Sequence, residues 1–268
     1  MEPRSAEQFI SANKHHFDSE HVSQKHDEQP LHAEMARRIG KALLKAYPFD
    51  DENTTVLDFA CGTGLDLYCL NSRVLAPYVK SIVGVDISQE MVDRYNKRVE
   101  NQGIPHEEMR AICIPEQLLT HANDNVGFDV AICCMSYHHF PSISFITRTL
   151  SSLLKPGGHL YIADVESIPI KSTPHGPDNS NKQSASDLEA IFPDGACDAG
   201  VVTHKYGFSE LEMKDVFVQA GLADIDAASE TGQIGSRFTY SIATRAFKKG
   251  KAVNIFLARG VKPQKPKP

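Results

Sequence analysis

Between residues 54 and 165 the chain alternates short, continuously apolar runs with amphipathic helical patterns, and this alternation leaves few folds open. TTVLDF (54–59), SIVGVD (81–86), MRAICI (109–114), FDVAICCM (128–135) and HLYIADV (159–165) read as strands. Strands that lack polar alternation are covered on both faces, as the central strands of a parallel sheet are. One helix is expected between the first two strands. SQEMVDRYNKRVENQG (88–103) is a second, with Ser88 as N-cap and Gly103 past its end, and SISFITRTLSSLLKPGG (142–158) is a third, stopped by Pro-Gly-Gly. The repeated strand–helix unit predicts the α/β class and a doubly wound sheet.

The flanks differ from this core. LHAEMARRIGKALLKAY (31–47) places Leu31, Met35, Ile39, Ala42, Leu43 and Ala46 on one helical stripe, which reads as packing on the core. The segment 168–186 is rich in Pro, Ser, Asn and Lys with little periodicity, as expected of a long loop or a lid. GFSELEMKDVFVQAGL (207–222) is a helix between two glycines, and KAVNIFLARG (251–260) is a late strand. The expected organisation is an N-terminal helical cap (1–50), a main domain (51–262) with a lid or insert at 168–207, and a solvated tail (263–268).

At 268 residues and 41% hydrophobic content, the chain can bury a substantial core. Its net charge of -6 gives no electrostatic case for nucleic acid. The opening MEPRSAEQFISANKHHF is too polar and acidic to read as a targeting peptide, and no apolar run reaches the length of a membrane span. A soluble, cytoplasmic protein with no membrane partner is expected. Cys61, Cys113, Cys133 and Cys134 sit in or beside apolar runs, as reduced buried thiols do. Without Cys-x-x-Cys or His-Glu-x-x-His spacing, the histidines suggest no metal site.

The first strand runs into Cys-Gly-Thr-Gly at residues 61–64. A strand, a glycine turn and a helix N-terminus bring free backbone N–H groups close to a nucleotide-like ligand. A dinucleotide site wants Gly-x-Gly-x-x-Gly and an acid about 20 residues on. Gly62, Gly64 and Asp86 fit that pattern, but Leu67 stands where the third glycine belongs. Asp58, near the end of the first strand, would repel a pyrophosphate and attract an ammonium or sulfonium. The pattern therefore favours S-adenosylmethionine over NAD.

VLDFACGTG (56–64), VGVDIS (83–88), FDVAICCMSYHHF (128–140) and LLKPGG (153–158), in this order, resemble the class I S-adenosylmethionine-dependent methyltransferases, the broad group that includes ubiquinone-type and many small-molecule enzymes. The resemblance covers roughly residues 30–260. It implies a mostly parallel seven-stranded sheet with a final antiparallel strand, and 223–230 and 251–258 are the candidates for its last two strands. It also implies S-adenosylmethionine as cofactor and S-adenosylhomocysteine as product. In this sequence Asp58 would anchor the methionine amino end, while Ala60, Gly62 and Gly64 would form the loop beneath the cofactor. Asp86 would accept the ribose hydroxyls, and Ile87 and Met91 would pack near the adenine. Glu116 stands where the family often has an acid near the adenine amino group, although IPEQ departs from the usual Asp-Ala. Cys133 and Met135, with Cys134, would line the cofactor. Blander readings stand beside these: Asp86 as a cap of the next helix, Gly62 as a turn residue, Ile87 and Met91 as core. The stretch between Asp58 and Asp86 is also longer than the family pattern, with Asn71-Ser72 breaking its helical periodicity.

Methyl transfer from a sulfonium needs alignment and exclusion of water more than catalytic groups, with a general base only where the acceptor holds its proton. Tyr137, His138 and His139, just after the fourth strand, are the candidate catalytic residues, against a structural reading of the His pair. Phe17 and His204 are candidate substrate contacts, with ordinary surface positions as the alternative. The expected function is methyl transfer to a small molecule. The alternatives are a catalytically weak cofactor-binding regulatory partner, or a protein methyltransferase. An Asn-Pro-Pro-Tyr-like motif is absent after the fourth strand, which disfavours glutamine or adenine N-methylation.

Overall fold

A computed structural model describes residues 5–22, 30–64, 74–114, 127–167, 200–222, 238–248 and 251–264. Seven strands form one sheet: β1 (Thr55–Phe59), β2 (Ser81–Asp86), β3 (Met109–Cys113), β4 (Phe128–Cys134), β5 (Leu154–Val165), β6 (Thr239–Lys248) and β7 (Lys251–Val261). Their order is β3-β2-β1-β4-β5-β7-β6. β1 to β5 pair in parallel, and β7 runs antiparallel to both β5 and β6. The chain winds outward from β1 through β2 and β3, then crosses back to β4. This reversal leaves a crevice beyond the carboxyl ends of β1 and β4, the place where open α/β sheets bind ligands.

Five helices are named: α1 (Ala6–Phe17), α2 (Pro30–Ala46), α3 (Gln89–Asn101), α4 (Ile143–Ser152) and α5 (Glu210–Gln219). Side chains alternate across each strand, so two cores form. On one face Val56, Ile132, Tyr161 and Ile255 meet Met35, Ile39 and Leu43 of α2 and Val92, Tyr95 and Val99 of α3. On the other, Leu57, Cys133, Leu160 and Ile162 meet Ile146 and Leu150 of α4 and Met213 and Phe217 of α5. The stripe read from residues 31–47 is thus the inward face of α2; Leu31's side chain is outside the described residues. Ser88, Ser142 and Ser209 each cap a helix by accepting a backbone N–H three residues on. Gly103 takes a left-handed φ of 67° just past α3.

Two expectations need correction, and a third falls largely outside the described residues. Strand six is Thr239–Lys248, not 223–230, which lies outside the described residues. The reason is visible in TYSIATRAFK: alternating polar and apolar residues suit an outer strand, and only Lys249 and Gly250 separate it from β7. In the connection from β1 to β2 the expected helix is described only as residues 74–75 running into a 3-10 turn at Ala76–Tyr78; residues 65–73 lie outside the described residues. Finally, α4 ends at Ser152 and β5 begins at Leu154, with Lys155–Gly158 inside the strand as an irregularity. There Phe128 pairs with Leu154 while Val130 pairs with His159. Pro156 and Gly157 therefore bend a strand rather than ending a helix.

Candidate active site

Three of the parallel strands carry an acid as the last or next-to-last residue, at the same edge: Asp58 on β1, Asp86 on β2 and Asp164 on β5. Asp58 is fully buried, its Cα paired in register with Gly84 and Ile132. The loop after it bends sharply: Cys61 N–H donates to Val85 O at 3.1 Å and Gly64 N–H to Cys61 O at 3.2 Å. Gly62 and Gly64 have φ of 52° and 69°, the left-handed region that glycine enters at little cost. Arg98 of α3 donates to Thr63 O at 3.1 Å and holds the loop from behind.

Asp86 faces this loop. Its Oδ2 accepts from Gly62 N–H at 2.8 Å and its Oδ1 from Ser88 N–H at 2.9 Å. Part of its surface reaches the crevice, yet burial holds its carboxyl above the usual carboxylate range, against the pull of those two backbone donors. Capping and ligand binding are therefore compatible, because each carboxylate oxygen keeps a second lone pair. Ile87 is partly exposed, whereas Met91 is buried at the first turn of α3.

Ala60 and Met135 carry the informative backbone. They have φ of 56° and 55°, and are the two non-glycine residues in the left-handed region among those described. Each costs about 1–2 kcal/mol that a glycine would avoid. They follow the adjacent strands β1 and β4 and flank the crevice. Strain of this kind persists where surrounding structure imposes it, and it gathers at ligand sites. Cys133 and Cys134 are fully buried, and burial, followed by neighbouring charges including Asp58 and Asp164, pushes both thiols well above their ordinary range.

A Gly64→Ala replacement tests the loop. A Cβ there would overlap carbons of the Tyr95 ring at a φ that already disfavours a side chain. A loss of about 2–4 kcal/mol in urea unfolding is expected; a loss under about 0.5 kcal/mol would mean the loop shifts freely.

The segment after β4 is bound into a hydrogen-bonded hub. His138, with no exposed surface, places Nδ1 2.9 Å from Asp164 Oδ1, and its backbone N–H donates to Asp164 Oδ2 at 3.2 Å. Asp164 also accepts from Val165 N–H at 2.7 Å. The carbonyl of His138 takes N–H bonds from Thr203 at 2.8 Å and His204 at 3.0 Å. Tyr137, equally buried, lies 3.0 Å from Thr147 Oγ1. Because Thr147 donates its own hydrogen to Ile143 O at 2.6 Å, the tyrosine is the donor. Tyr137 and His138 thus shape the crevice wall from inside.

His139 is different, being only partly buried. Its Nδ1 lies 2.9 Å from Val201 O, which can only accept, so Nδ1 carries the hydrogen and the neutral ring has its lone pair on Nε2. By the same logic His204, with Nε2 3.1 Å from Phe140 O, has its lone pair on Nδ1. Phe17 meets the His139 ring edge-on at 5.3 Å.

Helix α1 spans the mouth of the crevice. Lys14 Nζ donates to Ile87 O at 3.1 Å, and Ser88 Oγ donates to Phe17 O at 3.1 Å, on the Asp86 side. Asn13 Nδ2 donates to Val201 O at 3.1 Å on the His139 side. Of the residues expected from sequence, the structure therefore brings Asp58, Ala60, Gly62, Gly64, Asp86, Ile87, Met135, His139 and Phe17 to one edge, with His204 bonded to its wall. Glu116 and the 168–199 segment lie outside the described residues. Asn13, Lys14 and Asp164 were missed. Asp164 had a readable sign, an acid closing an apolar strand in YIADVE, just as Asp58 and Asp86 close theirs; Asn13 and Lys14 had none.

A sequence model of the family described as "Methyltransferase domain" matches residues 31–227. An uncharacterized methyltransferase of Schizosaccharomyces pombe is 36% identical over 175 residues, which make up 64% of this chain and 54% of that protein. A ubiquinone biosynthesis O-methyltransferase of Coxiella burnetii is 29% identical over 110 residues, 41% of this chain and 43% of its own length. The chain thus spans about half the length of these curated relatives. Among solved structures, the magnesium protoporphyrin IX methyltransferase of Synechocystis, with S-adenosylmethionine bound, matches with a TM-score of 0.55 at 14% identity, covering 97% of this chain and 100% of that one. At that identity the likeness carries the fold alone.

Proposed function

The chain belongs to the methyltransferase-domain family, and from that premise we propose that it binds S-adenosylmethionine and transfers its methyl group to a small-molecule acceptor. The observation that carries this reading is the pair of left-handed backbones at Ala60 and Met135, on either side of the crevice where the sheet changes direction. The residues present suit the adenosyl group. Gly62 and Gly64 give the loop its left-handed turn, Asp86 would offer acceptor lone pairs to a ribose diol, and Asp58 would set a carboxyl toward the ammonium end. The bound cofactor supplies a methyl group on a sulfonium, an electrophile with a good leaving group. What remains for the chain is to align the acceptor, exclude water and, where needed, take a proton.

His139 is the residue placed to take it. Val201 fixes its tautomer with Nε2 as the acceptor nitrogen, so it suits a hydroxyl whose proton must leave. The O-methyl transfer named for the Coxiella burnetii relative supports the same acceptor class. Phe17, from α1, and Phe59 and Phe140, whose rings lie 5.7 Å apart, favour an aromatic or apolar body.

Calorimetric titration with S-adenosylhomocysteine, followed by a panel of phenols and other hydroxyl acceptors, tests the proposal. His139→Gln is expected to lower kcat by about 10²–10⁴-fold, while S-adenosylhomocysteine affinity stays within about threefold. Binding without transfer to any acceptor would favour the regulatory-partner reading. A variant with unchanged kcat would remove His139 from the chemistry.

A further inference from the structure

On the far side of the sheet from the glycine loop, in the register row that runs from Asp58 through Ile132, a second cluster has no part in the site above. Tyr161 on β5, Arg259 on β7 and Thr239 on β6 are register partners in a row across three strands, so their side chains share a face. Beside Tyr161, the His159 ring stacks at 6.1 Å, and Tyr47, just past α2, meets His159 edge-on at 4.9 Å. Phe49 continues the aromatic strip at 4.8 Å from Tyr47.

Within this strip Arg259 lacks the partner its charge calls for. It is half-buried, its Nε is shielded from solvent with no hydrogen-bond acceptor, and it forms no ion pair among the described residues. A guanidinium stays charged at any ordinary pH, and a shielded donor without an acceptor is rare in folded proteins. The described neighbours do not supply one. Tyr161 donates its hydroxyl to Ala46 O at 2.9 Å. His159 is pulled down to about 4 by burial and then by Arg259, and so stays neutral. Asp129, the acid that acts on Tyr47, is held by Lys155 at 2.7 Å and by Thr55. Two donors on one face, the guanidinium and the Thr239 hydroxyl, therefore lie beside a half-buried aromatic strip, with no carboxylate paired to Arg259 among the described residues; His159 turns Nδ1 to the Tyr161 oxygen at 3.5 Å.

We propose that Arg259, Thr239, His159 and Tyr47 form a second ligand site, which takes an oxyanion, carboxylate or phosphate, carried on an aromatic body. The guanidinium fork grips two oxygens, Thr239 donates to one of them, and the aromatic body lies against Tyr47 and Phe49. The site is separated from the Gly62–Asp86 loop by the intervening strands β4 and β5 and does not depend on the reaction proposed there.

The test uses the full chain and the imidazole C2–H resonance of His159, assigned by its loss in His159→Gln. Benzoate, inorganic phosphate and acetate are the probes, which separate an aromatic carboxylate from a bare oxyanion. Benzoate is expected to give a saturable shift at His159 and to bind at least about tenfold tighter than acetate, with Arg259→Gln weakening it a further tenfold or more. The wild-type titration stands without the variant, should Arg259→Gln unfold. Absence of a saturable shift with benzoate, or an equal shift in a folded Arg259→Gln, overturns the proposal: Arg259 is then only a charged neighbour of His159 and Tyr161.

Discussion

Asp86→Asn is expected to weaken binding of S-adenosylmethionine and S-adenosylhomocysteine by about 100-fold or more. A carboxylate accepting two ribose hydroxyls makes two charge-assisted bonds of about 1.5–3 kcal/mol each. The amide keeps one acceptor and turns an NH₂ toward either Gly62 N–H or Ser88 N–H, both of which now donate to the carboxylate. One backbone donor therefore loses its acceptor, and the loop loosens as well as the contact. The pH dependence has a definite sign. Burial raises the Asp86 carboxyl above its ordinary value, and the diol needs the ionised form. Affinity should therefore fall as pH drops through that raised value, starting at a higher pH than an exposed aspartate would give. For the unliganded chain the same group acts in the other direction. Between the ordinary carboxylate value and the raised one the folded state binds more protons than the unfolded state, so this group's contribution to stability declines as pH rises through that window. Calorimetry between pH 4.5 and 8, with urea unfolding in parallel, separates the two. Affinity that is flat across that range and intact in Asp86→Asn would mean that the carboxylate only caps α3.

Asp164→Ala is expected to be the most destabilising single change in the site, by about 3–5 kcal/mol. It removes one buried acceptor group from three donors: His138 Nδ1–H, His138 N–H and Val165 N–H. None of the three has water to turn to, since Asp164 and His138 are both fully buried. For a chain of this size the melting temperature should drop by roughly 10 °C or more. A double-mutant cycle with His138→Ala should show coupling of about 1–3 kcal/mol, because either single change strands the other partner. The consequence reaches the crevice. His138 carries the backbone acceptor for Thr203 and His204, and that segment presents the Val201 carbonyl to both His139 and Asn13. Even where Asp164→Ala stays folded, it should therefore reduce kcat through the orientation of His139. A loss under about 1 kcal/mol would show that the hub is not the anchor that its geometry indicates.

Much of this molecule was decided locally. Apolar runs too continuous for a half-exposed sheet required helices on both faces, and serines at 88, 142 and 209 capped helices because a side-chain oxygen three residues before an N–H reaches it whatever surrounds them. The glycine loop and its acids were legible for the same reason, since Gly62 and Gly64 were required by a turn and Asp86 by the end of a strand. Strand six was legible only in part. The alternation in TYSIATRAFK suits an outer strand, but its place in the sheet comes from pairing with β7. Pro156-Gly157 likewise read as a helix stop, when β4 beside it made it a bend in a strand.

What only the tertiary structure decided was which of several similar residues faces the crevice. Tyr137, His138 and His139 are consecutive and chemically plausible alike, yet two are sealed in the wall and one reaches the opening, because Thr147 comes from the next helix and Asp164 from the next strand. The same holds for α1, whose Asn13 and Lys14 look like surface polar residues until Val201 and Ile87 arrive beside them. Sequence determines conformations that a residue and its near neighbours settle between them. Roles that depend on a partner dozens of residues away exist only once the chain has folded.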